Sequence, residues 1–361
     1  YDGVAGFEIH GNMKYATQFA HEEYPDREIP WELSLIKIGS TDIEVHSDHV
    51  RGFPHPHIAQ HEVVTIANTG SDNRIWCASV IPRGFEQFEI ATNIDGYEVE
   101  YLPFWNEKDL LLAYLDYLER EDFDILTGWN SDTFDFPYLY KRIEKVLSTK
   151  HAKRLSPLGI AYTREFMKFN KTNTTVNLYG VQLLDYLELY KKFGKGLPKL
   201  EDNKLNTVCS AILGEEKLDY SEYGNLTNLY KENPKLHTEY CIKDSILPKR
   251  LNDKLSFINI AIGIAYKAHV NYEDAMGVTE VWDSYIYGEL LKDNICVPPA
   301  QVHHSDGFEG AYVKPVQTGF FEWVMSGDFG SLYPNIIAQY NISPETIGEY
   351  ISGVTVDRLM Q

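Results

Sequence analysis

The chain has 361 residues, of which 43% are hydrophobic. This is enough for two or three globular units with buried cores, and it excludes a disordered protein. The 53 acidic residues outnumber the 33 basic ones and give a formal net charge of −20. Such a charge disfavours a polyanionic partner, unless bound cations or local basic stretches offset it.

The cysteines and the apolar runs bear on the compartment. The cysteines show no paired spacing, which predicts neither a zinc site nor disulfides, and therefore a reduced, cytoplasmic protein. No apolar run reaches the roughly 18 to 20 residues of a membrane span, so no membrane partner is expected. Because the chain opens at Tyr1 and closes at Gln361, we expect both ends to be cuts through a longer protein. The cysteines are Cys77, Cys209, Cys241 and Cys296.

The first third of the chain predicts a mixed α/β fold. Segments 33–45, 61–68 and 74–81 are rich in Ile and Val and predict three strands in an antiparallel meander. A helix, a strand and a second helix are then predicted in succession, which is typical of an α/β layer. These three elements are expected at 109–118, 124–129 and 136–147.

Later segments are mainly helical. The runs 165–171 and 174–178 flank a polar stretch and predict a protruding β-hairpin with its turn at 170–173. Pro248 is expected to kink the longest of the following helices. Those helices are predicted at 183–193, 200–213, 237–265 and 279–293, followed by extended segments around 310–315 and 323–328 that open a new unit.

Asp42-Ile43-Glu44 lies on the first strand of the α/β layer. Side chains two apart on a strand point to the same face, so the two carboxylates converge. A hard divalent cation needs such oxygen ligands, and a pair of ions can support phosphodiester hydrolysis. An Asp-x-Glu on a strand is common, however, and alone it is a weak signal.

Two further acidic patterns follow. Asn130, Phe134 and Asp135 lie where a strand ends and a helix begins, which is where α/β sheets place ligands and where ordinary helix capping also occurs. Tyr240 and Asp244 are four residues apart on one face of a helix, as an ordinary surface pair would also be. The joint occurrence of the three patterns in this order is more specific than any one of them.

These patterns resemble the three exonuclease motifs of the family B DNA polymerases, whose proofreading domain has a ribonuclease-H-like fold. The resemblance implies that two Mg²⁺ or Mn²⁺ ions bind to four carboxylates and that Tyr240 orients the attacking water. It also implies that Asn130 and Phe134 contact the 3′ end of a DNA strand, where an aromatic face can stack on an unpaired base. The implied ligands are Asp42, Glu44, Asp135 and Asp244.

The string 328–334 resembles motif A of the family B polymerase palm. The resemblance implies that Asp328 and the backbone carbonyl of Phe329 bind the polymerase metals. Tyr333 would stack under the sugar of the incoming deoxynucleoside triphosphate and exclude a 2′-hydroxyl. Gly310 and Tyr312 fall in a segment similar to the one that contacts the template in this family.

The resemblance is to polymerases of the T-even bacteriophage type and covers nearly the whole chain. It implies a remnant of the N-terminal domain at 1–35, an exonuclease domain at 36–258, a return to N-terminal structure at 259–300, and the start of the palm at 301–361. Strings such as Leu184-Asp185-Tyr186 support it. The hairpin near Asn170 would help to separate primer from template.

Three functional hypotheses differ in the partners and residues that they require. The resemblance implies DNA as partner, with a sliding clamp contacted through other regions. The later family motifs with paired Asp and a Lys helix fall outside these residues, so we expect exonuclease activity alone from this chain. A stand-alone exonuclease would have no use for Asp328 and Tyr333. An inert DNA-binding replisome module would have no use for the four carboxylates.

Overall fold

The computed structural model describes residues 15–25, 32–47, 54–168, 171–295 and 313–343, together with 346 and 348. The chain divides into two compact units, residues 1–299 and 300–361. The first unit contains every strand that the described residues form, together with most of the helices. The second contains one described α-helix.

The strands belong to one seven-stranded sheet and one two-stranded sheet. They are β1 (Ile38–His46), β2 (Glu62–Gly70), β3 (Arg74–Val80), β4 (Asn93–Ile94), β5 (Tyr97–Phe104), β6 (Ile125–Thr127), β7 (Ala161–Lys168), β8 (Lys171–Leu178) and β9 (Gln182–Leu183).

The α-helices in the described residues are α1 (Tyr15–Glu23), α2 (Glu107–Glu121), α3 (Asp135–Val146), α4 (Thr149–Ala152), α5 (Tyr186–Phe193), α6 (Leu205–Leu213), α7 (Leu226–Glu232), α8 (Pro234–Leu255), α9 (Phe257–Ala268), α10 (Val278–Lys292) and α11 (Leu332–Tyr340). None of the helices in this part of the chain is long and apolar enough to cross a membrane.

The large sheet is mixed, with strand order β4-β5-β3-β2-β1-β6-β9. Strands β1, β2 and β3 form the predicted antiparallel meander, while β6 joins β1 in parallel. The predicted start of the first strand is wrong, because Leu33–Leu35 forms a short 3₁₀ turn and β1 begins at Ile38. The predicted mixed α/β class is confirmed.

Helices cover both faces of this sheet. On one face, Ile43 and Ile66 pack with residues of α2 and α3 in the largest core cluster. On the other, Ala67 packs with Cys241 and Ile242 of α8. Successive strand residues point to opposite faces, so Asp42 and Glu44 share the face that α8 covers. The two carboxylates of β1 therefore face α8.

The predicted single helix over 237–265 is wrong, because it divides into α8 and α9, while the kink at Pro248 stays a prediction. Helix α8 continues through Pro248 to Leu255, and the break follows at Ser256, whose φ of 57° is left-handed. The side chain of Asn252 then accepts a hydrogen bond from the N–H of Ile258 at 2.9 Å, which supports the first turn of α9. Pro248 is buried within α8.

The predicted hairpin is present, but part of its predicted turn is strand. Strands β7 and β8 pair from Ala161 opposite Leu178 to Lys168 opposite Lys171. The predicted turn at 170–173 is wrong for 171–173, which are paired in β8, and residue 170 lies outside the described residues. Two predicted helices also begin late, since Gln182–Leu183 forms β9 beside β6 and α6 starts only at Leu205.

In the second unit, α11 begins directly after Ser331, so Tyr333 and Pro334 lie in its first turn. The described residues 313–328 form no strand, although extended structure was expected around 323–328. The fourfold division into domains stays a prediction.

Candidate active site

Strand β1 carries the first two carboxylates. Asp42 lies opposite Ala67 and Glu44 opposite Thr65 in the antiparallel pairing with β2. A register shift follows between Glu44 and Val45, so the regular pairing is interrupted just beyond Glu44. Glu44 is buried, whereas Asp42 keeps some exposure.

Helix α8 carries the second pair. Tyr240 and Asp244 are four residues apart, so they lie on one face, and both are buried with 4% exposure. The thiol of Cys241 contacts the backbone oxygen of Asp42 at 3.5 Å, which sets the helix against β1 at this level. The interpretation of Tyr240 and Asp244 as a surface pair is therefore wrong.

The carboxylates of Asp42, Glu44 and Asp244 form an acidic cluster. One oxygen from each lies within 4.8 Å of the others, and no other such group of His, Cys, Asp or Glu occurs in the described part of the chain. Asp135 lies at the edge of this cluster: its Oδ1 accepts the N–H of Ile43 at 3.2 Å. That N–H is open because β6 pairs with β1 only as far as Ser40.

The carboxyl groups of the acidic cluster and of Asp135 have raised pKa values. Burial raises the pKa of Glu44 to about 8, and the charge of Asp244 adds to the effect. Burial likewise raises the pKa of Asp135 to about 7, although the hydrogen bond from Ile43 opposes it. The pKa values of Asp42 and Asp244 are also raised, chiefly by burial. Like charges held this close stay charged only when a cation neutralises them.

The donor set suits a divalent cation. Oδ2 of Asp42 and Oδ1 of Asp244 are buried and accept no hydrogen bond from the protein. Carboxylate oxygens are the ligands that hard cations such as Mg²⁺ prefer, and a bound cation would satisfy these two acceptors. The acidic cluster can therefore hold a metal ion.

Lys217 is a site residue that the sequence did not reveal. Its ammonium group is paired with Oδ2 of Asp244 and donates to the hydroxyl of Tyr240 at 3.2 Å. Burial alone would lower the pKa of Lys217, but Asp244, Asp42 and Glu44 together raise it, so the side chain is charged. A lone lysine in a loop gives no sequence signal for this position.

The turn between β6 and α3 delivers the second motif. Gly128 is required there, because a Cβ would lie 2.5 Å from the backbone oxygen of Thr41. Asn130 is exposed, has a left-handed φ of 67°, and accepts the Thr133 hydroxyl at 2.9 Å. Phe134 is half-buried against Tyr138, with ring centroids 5.7 Å apart.

The turn does not act as a side-chain cap of α3. Phe134 holds the N-cap position and makes no capping hydrogen bond. Instead the N–H groups of Asn130 and Asp132 donate to the carboxylate of Asp185. The sequence indicates Asp185 only as part of the string Leu184-Asp185-Tyr186.

The remaining predicted residues belong to the second unit. Asp328 is exposed, as are Phe329 and Tyr333, at 77% and 70%. Gly310 and Tyr312 lie outside the described residues. The structure thus brings Asp42, Glu44 and Asp244 together with Tyr240, whereas Asp328, Phe329 and Tyr333 lie on one exposed stretch of the second unit.

Comparison with known proteins gives two family matches. The family described as "DNA polymerase family B, exonuclease domain" matches residues 14–208, and "DNA polymerase family B" matches residues 278–355. The first match ends before Lys217, Tyr240 and Asp244. These residues are therefore linked to the exonuclease motifs by the structure.

Individual relatives agree with the family matches. A DNA-directed DNA polymerase of Escherichia phage RB69 is 32% identical over 95% of this chain and 39% of its own length. That of Enterobacteria phage T4 is 29% identical over 96% and 41%. The DNA polymerase delta catalytic subunit of Glycine max is 31% identical over 68% and 23%.

The chain thus spans about two fifths of the length of these phage relatives. The exonuclease family covers more than half of its residues, on a mixed sheet flanked by helices as expected for a ribonuclease-H-like exonuclease domain. The chain belongs to DNA polymerase family B and carries the exonuclease domain and the beginning of the polymerase domain of that family.

Proposed function

We propose that the first unit hydrolyses DNA from its 3′ end as a metal-dependent proofreading exonuclease. The observation that carries the proposal is the acidic cluster, in which Asp42, Glu44 and Asp244 converge with two buried carboxylate oxygens that accept no hydrogen bond from the protein. Asp135 at its edge would complete the ligands for two Mg²⁺ or Mn²⁺ ions. When bound, such ions lower the pKa of water and stabilise charge on the leaving 3′ oxygen.

The residues of the chain have separate tasks in this reaction. The hydroxyl of Tyr240 lies beside Asp244, where it would orient the attacking water. The ammonium group of Lys217 would stabilise the negative charge that develops on the scissile phosphate, since it is already held against the acidic cluster. The raised pKa of Glu44 is offset once cations bind, so the carboxylates act as ligands in their charged form.

Asn130 and Phe134 would hold the 3′ end. Asn130 is exposed at the mouth of the turn, and Phe134 presents a half-buried aromatic ring one residue before Asp135. An aromatic face stacks on an unpaired base of any identity, which suits the removal of mismatched nucleotides.

Degradation of a 5′-labelled single-stranded oligonucleotide tests this proposal. The chain should shorten it stepwise from the 3′ end in Mg²⁺ and not in EDTA, and Asp42→Ala/Glu44→Ala should abolish shortening. Glu98→Ala removes an exposed carboxylate on β5 and serves as the matched control. If the folded wild-type chain does not shorten the strand, the reading as an inert DNA-binding module is favoured.

The hairpin β7–β8 would separate a mismatched primer end from its template. Its base is anchored by the buried Ala161, Val176 and Leu178, while Met167 near the tip is 68% exposed. Replacing 167–172 by Asn-Gly would join the paired positions 166 and 173 through a two-residue turn. Excision from duplex DNA should fall while excision from single strands is retained; equal loss on both would contradict the role.

The second unit is proposed to contribute to a polymerase site. Asp328 and the carbonyl of Phe329 would bind metal there, and Tyr333 would contact the sugar of a deoxynucleoside triphosphate. In a protein of the relatives' full length, Tyr333→Ala should increase ribonucleotide incorporation, and an unchanged sugar preference would contradict this role. Template contact by Gly310 and Tyr312, clamp binding and a cytoplasmic location stay predictions.

A further inference from the structure

Asp185 connects two parts of the exonuclease domain through one buried carboxylate. The residue is 6% exposed and stands at the start of α5, after β9. Its Oδ1 accepts the N–H of Leu187 at 2.8 Å, which is an ordinary N-cap interaction. A cap of this kind requires only that one hydrogen bond.

The same carboxylate accepts two further N–H groups from the turn between β6 and α3. Asn130 donates to Oδ1 at 3.0 Å and Asp132 donates to Oδ2 at 3.3 Å. A fourth bond runs the other way, from the N–H of Tyr186 to the oxygen of Gly128 at 2.9 Å. The turn is therefore held at Gly128, Asn130 and Asp132 by residues 185 and 186.

This turn leads directly into the acidic cluster. The N–H of Phe134 donates to the oxygen of Asn130 at 3.1 Å, and Asp135 follows with its contact to Ile43. Asn130 keeps a left-handed φ of 67°, a conformation that asparagine adopts more often than other non-glycine residues but that still has to be restrained to one value here. The bonds to Asp185 supply that restraint.

We propose that Asp185 is a positioning residue of the exonuclease site, whose buried carboxylate fixes the 128–135 turn so that Asp135 and Asn130 face the metal and the DNA strand. Asp185 acts through the turn and touches neither metal nor substrate. The inference rests on the proposed exonuclease function. It adds that the geometry of the 128–135 turn depends on Asp185, which lies 55 residues after Asn130 in the sequence.

The competing explanation is that Asp185 only caps α5. Asp185→Ser separates the two, because serine also caps helices well but cannot span three N–H groups. Asp185→Asn is the second variant: its oxygen can still accept from Leu187 and Asn130, while its NH₂ faces the N–H of Asp132. Asn225→Ser is the matched control, since Asn225 caps α7 by accepting from Asn228 at 2.8 Å.

Hydrogen exchange of single amides is the first readout. Asp185→Ser should speed exchange at Asn130 and Asp132 by about tenfold or more, the value of one charge-assisted hydrogen bond. Asp185→Asn should speed it mainly at Asp132. The melting temperature should fall by no more than about 4 °C in Asp185→Ser and in Asn225→Ser. Asn225→Ser should leave both amides unchanged.

Metal binding and exonuclease activity are the second and third readouts. In Asp185→Ser the affinity for Mn²⁺ alone should fall by about tenfold, and kcat on a single-stranded oligonucleotide should fall by about 10 to 100-fold, because misplaced ligands weaken both. Wild-type exchange in Asp185→Ser would overturn the proposal, as would faster exchange with wild-type Mn²⁺ affinity and kcat. Failure of the wild-type chain to degrade DNA would instead overturn the proposed function, and exchange and Mn²⁺ binding would still decide the role of Asp185.

Discussion

The acidic cluster of the first unit and the 328–334 segment of the second present carboxylates in different ways. Asp42 and Asp244 come from β1 and α8, which are distant in sequence, and their side chains meet between the sheet and a helix that packs on it. Asp328 belongs to a contiguous string, is exposed, and precedes a helix whose residues are also exposed.

This difference separates two kinds of sequence signal. The 328–334 string is the most specific in the chain, yet its local structure shows no assembled site. The Asp-x-Glu and Tyr-x-x-x-Asp patterns are individually weak, yet packing assembles them into a group that fits a cation. The candidate site of the first unit is thus identified by its geometry, and that of the second unit by the 328–334 string alone.

Matched Asp→Asn changes in the two units should have very different effects on the exonuclease. Asp244→Asn removes one charge from the acidic cluster without changing its shape, and kcat for removal of 3′ nucleotides should fall by about 10³-fold because a metal ligand is lost. Asp328→Asn is the matched change in the second unit and should leave that kcat within about twofold of wild type. Equal losses in the two variants would show that the comparison is false.

The acidic cluster also contains a positive charge, the ammonium group of Lys217. Lys217→Met should lower kcat by about 10²-fold, since a positive charge aimed at the phosphate is lost. The affinity for Mn²⁺ alone should rise several-fold, since the ammonium group no longer competes for Asp244. Lys231→Met changes an exposed lysine of α7 and should alter neither value. Weaker Mn²⁺ binding in Lys217→Met would contradict the electrostatic argument.

The sequence predicted the elements that carry the site better than the contacts within it. Periodicity placed β1, the start of α3 and the face of α8 that bears Tyr240 and Asp244, because these are regular elements with buried faces. It could not place Lys217 or assign a role to Asp185, which lie in or beside loops and act through tertiary contacts. It also predicted one helix over 237–265, whereas the chain leaves the helical conformation at Ser256 and divides it into α8 and α9.

Two glycine substitutions test how closely the turn that leads to Asp135 is packed against β1. Gly128→Ala would bring a Cβ to 2.5 Å from the oxygen of Thr41, so unfolding free energy should fall by about 1 to 3 kcal/mol, as for other overpacked positions. Gly263→Ala lies within α9 with nothing inside 4 Å and should raise stability by up to about 1 kcal/mol. Urea unfolding of both variants measures this, and equal stabilities would contradict the close approach at Gly128.

Dependence on pH follows from Glu44. Its pKa is raised from 4.5 to about 8 in the folded, metal-free protein, so the folded state holds a proton that the unfolded state has released. Stability without metal should therefore fall as the pH rises from about 4.5 to about 8. A bound cation requires the charged carboxylate, so metal binding should release protons and become stronger over the same range.

The size of this effect is set by the number of protons released. If one proton leaves on binding, the affinity for Mn²⁺ should rise by about tenfold for each pH unit below the pKa of Glu44. Titration calorimetry at pH 6.5 and 7.5, in buffers of different ionisation enthalpy, measures both affinity and proton release. Glu44→Gln should reduce this dependence, and the raised pKa values of Asp42 and Asp135 should account for what remains. Affinity that does not change with pH would show that the carboxylates are already charged in the metal-free protein.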